Sequence, residues 1–197
     1  MTGKTVTIDP VTRIEGHARI DIKLNDKGDV DDAIFRVVEL RGFERFAVGR
    51  PVEEMPLIVT KICGICPVSH HLASAKAVDA VYGVTPTETA TKLRQLMHHG
   101  QFIHSHVLHF YALAAPDLVL GPSSDPKKRN LIGLIDAVGL DLASQVIKAR
   151  SIGQQIIKAT GAAKIPPYTA VPGGMAKPLS EEQRVDLLEK VKGITAP

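Results

Sequence analysis

Two cysteines stand two residues apart in the segment Lys61-Ile62-Cys63-Gly64-Ile65-Cys66-Pro67-Val68-Ser69-His70-His71, and the sequence has no others. Thiolates at this spacing can bite one metal ion, with Gly64 allowing a tight turn between them. They are soft donors and select soft or borderline transition metals over magnesium or calcium. Pro67 suits the first position of a helix, which makes Cys66 the expected N-cap of a helix running through Leu72, Ala75 and Val78. Both sulfurs then lie near the positive end of that helix, with Lys61 close in sequence. Dipole and side chain both favour thiolate, the form that binds metal. Spacing alone leaves three readings open. A redox pair would follow a strand and open a helix. A structural zinc site needs four donors, nominally Cys63, Cys66, His70 and His71, yet one helix does not easily turn two adjacent histidines toward one ion. The third reading is half of a larger metal site whose other ligands lie elsewhere.

The elements that must position this segment can be read from periodicity. Ala18, Ile20, Ile22 and Leu24 alternate with His17, Arg19, Asp21 and Lys23, the pattern of a half-buried strand. Asn25 to Gly28 supplies turn residues, Val30 to Leu40 can return as a second strand, and Thr5 to Ile8 can add a third. From about Pro51 the pattern is helical. One stripe runs Leu93, Leu96, Gly100, Ile103, Val107, Phe110, Ala114, which predicts a long amphipathic helix over 88–114 with that stripe in the core. A second stripe of His99, Phe102, His106, His109 and Leu113 predicts burial around much of its circumference. Leu131 to Thr160 is helical again, weakened by Gly133, Gly139 and Gly153, with Gly139 a possible break. Ser180 and Gln183 form a capping box that opens a short helix to about Lys192. The expected architecture is α+β: a small antiparallel β module over 1–42, a bundle of long helices over 43–165 carrying the cysteine pair, and an irregular segment with a short helix over 166–197.

Composition excludes several function classes. The chain has 197 residues, 44% hydrophobic and 23% charged, which is globular rather than disordered. Its net charge is +3, and the densest basic run, Lys127-Lys128-Arg129, is too short for a nucleic-acid track. Without Trp and with 4% aromatics it lacks stacking platforms for bases. The most apolar long stretch, Phe102 to Gly121, contains His104, His106, His109 and Asp117 and is too polar for lipid. The N-terminus has no apolar stretch of a secretion signal, so the expected location is cytoplasmic.

Lys61 to His70 closely resembles the first metal-binding motif of nickel–iron hydrogenase large subunits. Asp9-Pro10-Val11-Thr12-Arg13-Ile14-Glu15-Gly16-His17 is similar to that family's N-terminal signature, and Arg41-Gly42-Phe43-Glu44 to a further block. His104-Ser105-His106 through Ala115-Pro116-Asp117, and Val171-Pro172-Gly173-Gly174, are also similar to family segments. The blocks occur in the family's order and cover nearly the whole chain, but only the N-terminal part of a family member. The wording is most like the soluble, cytoplasmic branch.

The resemblance implies a nickel–iron centre whose iron carries carbonyl and cyanide ligands. Cys63 would be terminal on nickel and Cys66 would bridge nickel and iron. Glu15 would relay protons, Glu44 would bind a separate magnesium or iron ion, and His70 would hydrogen-bond the bridging sulfur. Lys61 stands where the family usually has Arg, and the two are not equivalent donors. Pro166 stands where many members have His. Without the resemblance, Glu15 between Arg13 and His17 is an ordinary ion pair, Glu44 beside Arg41 and Arg45 is a solvated charge, and the five histidines from His98 to His109 serve packing and solvent.

The family completes its site with a second cysteine pair in a C-terminal block, which this sequence lacks. A split large chain, a fragment and a defunct site all remain open. The implied activity is reversible heterolytic cleavage of hydrogen once a missing segment or second polypeptide supplies that pair, with an iron–sulfur small subunit carrying electrons. The chain alone is expected to be inactive. A non-catalytic scaffold related to the quinone-site subunit of respiratory complex I, and a zinc-binding module, are the rival expectations.

Overall fold

The computed structural model describes residues 3–195. The chain divides into two compact units, one up to Phe43 and one from Glu44. No helix among the described residues is long and apolar enough to cross a membrane.

The first unit is an antiparallel sheet of three strands, β1 (Thr5–Ile8), β2 (Ala18–Leu24) and β3 (Val30–Val37), with β2 in the centre. Ile20 lies between Ile8 and Phe35 across the two ladders. The Asn25 side chain accepts from the Lys27 and Asp29 amides at 2.9 and 3.0 Å and closes the β2–β3 turn. The predicted alternation positions β2, but the strand's buried residues are Ala18 and Asp21 rather than the isoleucines. Asp21 lies on the polar side and accepts from Arg36 Nε at 2.6 Å, Thr7 Oγ1 at 3.0 Å and Arg19 Nη2 at 3.1 Å. The Arg36 bond foremost, joined by Thr7 and Arg19 against the opposing effect of burial, holds this carboxyl at about 2. The strand flanks stay open: Phe35 is 60% exposed and Val37 62%.

The second unit is helical: α1 (Phe43–Ala47), α2 (Met55–Ile58), α3 (Pro67–Tyr82), α4 (Glu88–Leu108), α5 (Ala115–Leu120), α6 (Leu131–Val138), α7 (Leu140–Gly161) and α8 (Glu181–Thr195), with a two-stranded hairpin of β4 (Ala170–Val171) and β5 (Gly174–Met175) before α8. The predicted 88–114 helix is α4 followed by a π-helical stretch over His109–Ala114. Its buried positions are Ala90, Arg94, Met97, Gly100, Gln101 and His104. The predicted Leu93–Ala114 stripe borders the core rather than filling it: Gly100 is buried, Leu96 and Ile103 pack half-buried against a core cluster, and Phe110 is exposed. His99, Phe102, His106 and His109 face solvent rather than a packed surface. Gly139 does end α6. Ser180 and Gln183 exchange the two predicted capping bonds, both at 3.2 Å.

One core cluster joins Val68, Leu72 and Ala75 of α3 with Met97 of α4, Ile157 of α7 and Ala170 of β4. A second joins Ile152 and Ile156 of α7 with Leu187 of α8. Between them α4 and α7 cross in close contact at Gly100 and Gly153. A Cβ on Gly153 would lie 2.7 Å from both the Gly100 carbonyl oxygen and the His104 amide nitrogen. Gly153 is thus a point of approach, not a weak spot in a helix. Alanine there gains about 1 kcal/mol of helix propensity but forces two backbones apart, which costs about 1–3 kcal/mol. Gly153→Ala is expected to lower the denaturation midpoint. Gly193→Ala in α8, where a Cβ meets nothing within 4 Å, is expected not to. Equal midpoints for the two variants would show that the crossing is not tight.

A buried ion pair fastens the hairpin to the helices. Arg94 Nη1 donates to Asp79 Oδ2, and Arg94 Nη2 donates to the carbonyls of Val171 and Gly174 at 2.8 and 3.0 Å. Asp79 Oδ1 also accepts from the Gly173 amide at 2.8 Å. Burial works against ionising Asp79, but the Arg94 and Gly173 bonds outweigh it and keep the carboxyl below its usual range. Pairing of this kind is what makes a buried charge tolerable.

Candidate metal centre

A short turn of 3-10 helix, Val59–Lys61, follows α2, and the chain reaches Cys66 through an irregular loop. Cys66 is the N-cap of α3 and Pro67 its first residue, as the sequence predicts. Pro67 tolerates that position because its missing N–H would have no partner inside the helix. The Cys66 side chain makes no capping bond to α3. Instead the Cys66 backbone N–H donates to Cys63 Sγ at 3.4 Å, so the loop folds the first sulfur back toward the helix start. Both cysteines are half-buried. Two soft donors gathered at a helix N-terminus, one already receiving an amide hydrogen, fit a soft or borderline transition metal. Two donors alone do not enclose an ion, and among the described residues no group of three His, Cys, Asp or Glu side chains could hold one.

Three buried side chains hold the segment from behind. Thr60 Oγ1 donates to the Leu57 carbonyl at 2.6 Å. Gln101 Nε2 donates to the Ile65 carbonyl at 2.9 Å. His71 Nδ1 lies 2.7 Å from the Pro56 carbonyl and its Nε2 lies 2.9 Å from the Ala170 amide nitrogen. A carbonyl only accepts and an amide only donates, which assigns the ring as neutral with its proton on Nδ1. Burial foremost, with the Arg94 charge also acting, pushes the His71 pKa below its usual value. His71 is therefore a strut between α3, α2 and β4. Its neighbour His70 is half-buried, and among the described residues its ring makes no hydrogen bond.

The other predicted residues are more open. Lys61 ends the 3-10 turn and is exposed, and Glu44 is exposed in the first turn of α1. Glu15 is exposed in the β1–β2 loop of the first unit. That loop is fastened at its end, where Glu39 accepts from the His17 backbone N–H and lies 2.8 Å from His17 Nδ1. These His17 bonds lower the Glu39 pKa. The backbone at Gly16 favours glycine through its φ of +81°, while a Cβ there would meet only the movable end of Glu39, 2.9 Å from Oε1.

Sequence reasoning missed Gln101, the Asp79–Arg94 pair and the buried role of His104, whose Nδ1 accepts from Arg150 Nε at 3.2 Å, and it read His71 only as a nominal zinc donor rather than a buried strut. The available signal was a helical stripe of Arg94, Met97, Gln101 and His104, one position from the apolar one. Its polar members look like solvent-facing residues until their partners are known.

Residues 41–129 match the family described as nickel-dependent hydrogenase, and residues 5–40 match a HoxL-like family. The chain is 53% identical over 184 residues to a vhu F420-non-reducing hydrogenase chain of Methanocaldococcus jannaschii, covering 93% of this chain and 44% of that protein. It is 42% identical over 197 residues to the beta chain of the NAD-reducing hydrogenase HoxS of Cupriavidus necator, covering 97% of this chain and 40% of that protein. The structure of an NAD+-reducing [NiFe]-hydrogenase in its H2-reduced state superposes with a TM-score of 0.92 at 50% identity, covering 98% of this chain and 43% of the other. The Ni-Fe-Se hydrogenase from D. vulgaris Hildenborough superposes with a TM-score of 0.77 at 32% identity, covering 97% and 41%. The chain thus spans less than half the length of these relatives.

Proposed function

We propose that this chain, which corresponds to the N-terminal part of the large subunit of nickel-dependent hydrogenases, supplies half of the thiolate shell of a nickel–iron centre that cleaves hydrogen reversibly. The observation that supports this reading most is the pairing of Cys63 and Cys66 at the start of α3, with a backbone amide directed at the Cys63 sulfur. Cys63 would hold nickel terminally, Cys66 would bridge nickel and iron, and a second cysteine pair from the rest of the protein would complete the shell. The iron would carry carbonyl and cyanide ligands.

Such a centre, held by Cys63 and Cys66 with the missing pair, would supply an acceptor for the electron pair of the H–H bond, since hydrogen is a very weak acid. The Cys63 sulfur would be the first base for the proton. Glu15 would serve as a proton relay, since a carboxylate can take up and release a proton in either direction. His70, one turn after Cys66, would tune the basicity of the bridging sulfur as a hydrogen-bond donor. Lys61 adds positive charge beside the pair. Glu44, a hard oxygen donor, suits a separate magnesium or iron ion. An iron–sulfur small subunit carries the electrons, and the complex works in the cytoplasm.

The test is metal analysis of the complex purified with its partner subunits. Nickel and iron together, with hydrogen-dependent reduction of a viologen dye, are expected. Zinc alone would convert the reading to a zinc-binding module, and no metal would convert it to a scaffold.

A further inference from the structure

We propose that Gln101 is a positioning residue for Cys63, acting through the peptide that joins Ile65 to Cys66; this rests on the metal reading above. Gln101 lies in the middle of α4 and is 2% exposed. Its Nε2 donates to the Ile65 carbonyl at 2.9 Å. The Cys66 N–H, on the same peptide unit as that carbonyl, donates to Cys63 Sγ at 3.4 Å. A trans peptide is planar, with its C=O and N–H on opposite sides. Holding the oxygen from one side therefore aims the hydrogen at the other. The two bonds form a line from the Gln101 amide through one peptide group to the sulfur, and bonds linked through a peptide polarise one another.

The other end of the amide shows that packing alone does not explain this residue. Ile65 offers an acceptor, so the nitrogen of Gln101 must face the loop and Oε1 must face away. Oε1 is fully buried and has no hydrogen-bond partner among the described residues. Leucine or methionine would fill the same volume without stranding an acceptor, which is the costly arrangement for a buried polar group. What an apolar side chain cannot do is grip the Ile65 carbonyl. Gly64 has open space where a Cβ would stand, so no side chain at that position packs the loop. The Gln101 bond thus supplies a restraint that the loop lacks on its own flank. A sulfur that receives a well-aimed N–H is less electron-rich, so this restraint sets how strongly Cys63 donates to a metal.

The experiment compares Gln101→Leu and Gln101→Met with the parent in the complete complex. The second variant is unbranched and adapts to the cavity where leucine fits poorly. Nickel content, the paramagnetic resonance g values of nickel, the midpoint potential of the centre and deuterium exchange at the Cys66 amide are measured together. Both variants are expected to keep the metal. Exchange at Cys66 should rise roughly tenfold as the amide loses its aim. The g values should change and the midpoint should move to a more negative potential, because a more electron-rich sulfur favours the oxidised centre. Unchanged g values, potential and exchange in variants that retain nickel would overturn the proposal and leave the metal reading intact. A parent complex without nickel would overturn the metal reading, while Cys66 exchange would still report whether Gln101 controls the peptide.

Discussion

Cys66→Ser is expected to leave the assembled complex without nickel, iron or hydrogen turnover, while α3 folds as before. Serine is among the best N-cap residues, worth about 0.5–2 kcal/mol over a poor cap. Cys66 makes no capping bond, so the substitution adds local stability where it removes chemistry. What it removes is a soft, polarisable sulfur that two metals would share. An alcohol is a hard, protonated donor at neutral pH and does not bridge borderline metals. Loss of metal with unchanged helix content separates ligation from folding, which an alanine variant would not do as cleanly. Metal analysis and circular dichroism on the same preparation provide the measurement. Full nickel and iron occupancy in the serine variant would show that Cys66 does not bridge them.

Glu15→Gln is expected to cut turnover by roughly 10²-fold or more, the usual scale of a lost acid–base group, with metal content unchanged. Glutamine keeps the size of the side chain and can still donate and accept hydrogen bonds, but it cannot take up a proton and release it. Glu15 stands on a loop whose end is fastened through Glu39 and His17, so the variant should not rearrange its backbone. Glu15→Asp should fall between the two, since the carboxylate survives one methylene further back. Hydrogen uptake rates are read beside metal content and solvent isotope exchange. Parent-like turnover in Glu15→Gln would show that the proton leaves by another residue, even with the cysteine assignment intact.

Local chemistry made several elements legible. Proline after Cys66 marks the start of α3, Ser180 with Gln183 marks the start of α8, and the alternation from Ala18 to Leu24 marks β2. Each rests on residues within one turn or strand of one another. The errors share a different origin. On α4 the apolar stripe through Leu93 and Leu96 outweighed the buried one because Arg94, Gln101 and His104 are polar. Their burial depends on Asp79, Ile65 and Arg150, which lie 15, 36 and 46 positions away. Periodicity contains no trace of partners that distant. Gly153 misled for the same reason: helix propensity registers its missing side chain as a cost, and only the backbone of α4 shows what the gap admits. Within the site, the soft donor pair could be read from spacing, whereas the buried supports behind it could not.

The bonds around Arg94 also set a timetable. They tie Arg94 to Val171 and Gly174 across 77 and 80 positions, and Asp79 to Gly173 across 94. Ribosomes add about 5–20 residues per second. The Asp79–Arg94 pair is therefore synthesised several seconds, on the order of 4–16 s, before the hairpin that completes its hydrogen bonding. Until the hairpin is made, the pair joins α3 to α4 with water in place of the Val171, Gly173 and Gly174 backbone groups. The cysteine loop at the head of α3 belongs to the part of the chain that is made early and fixed late.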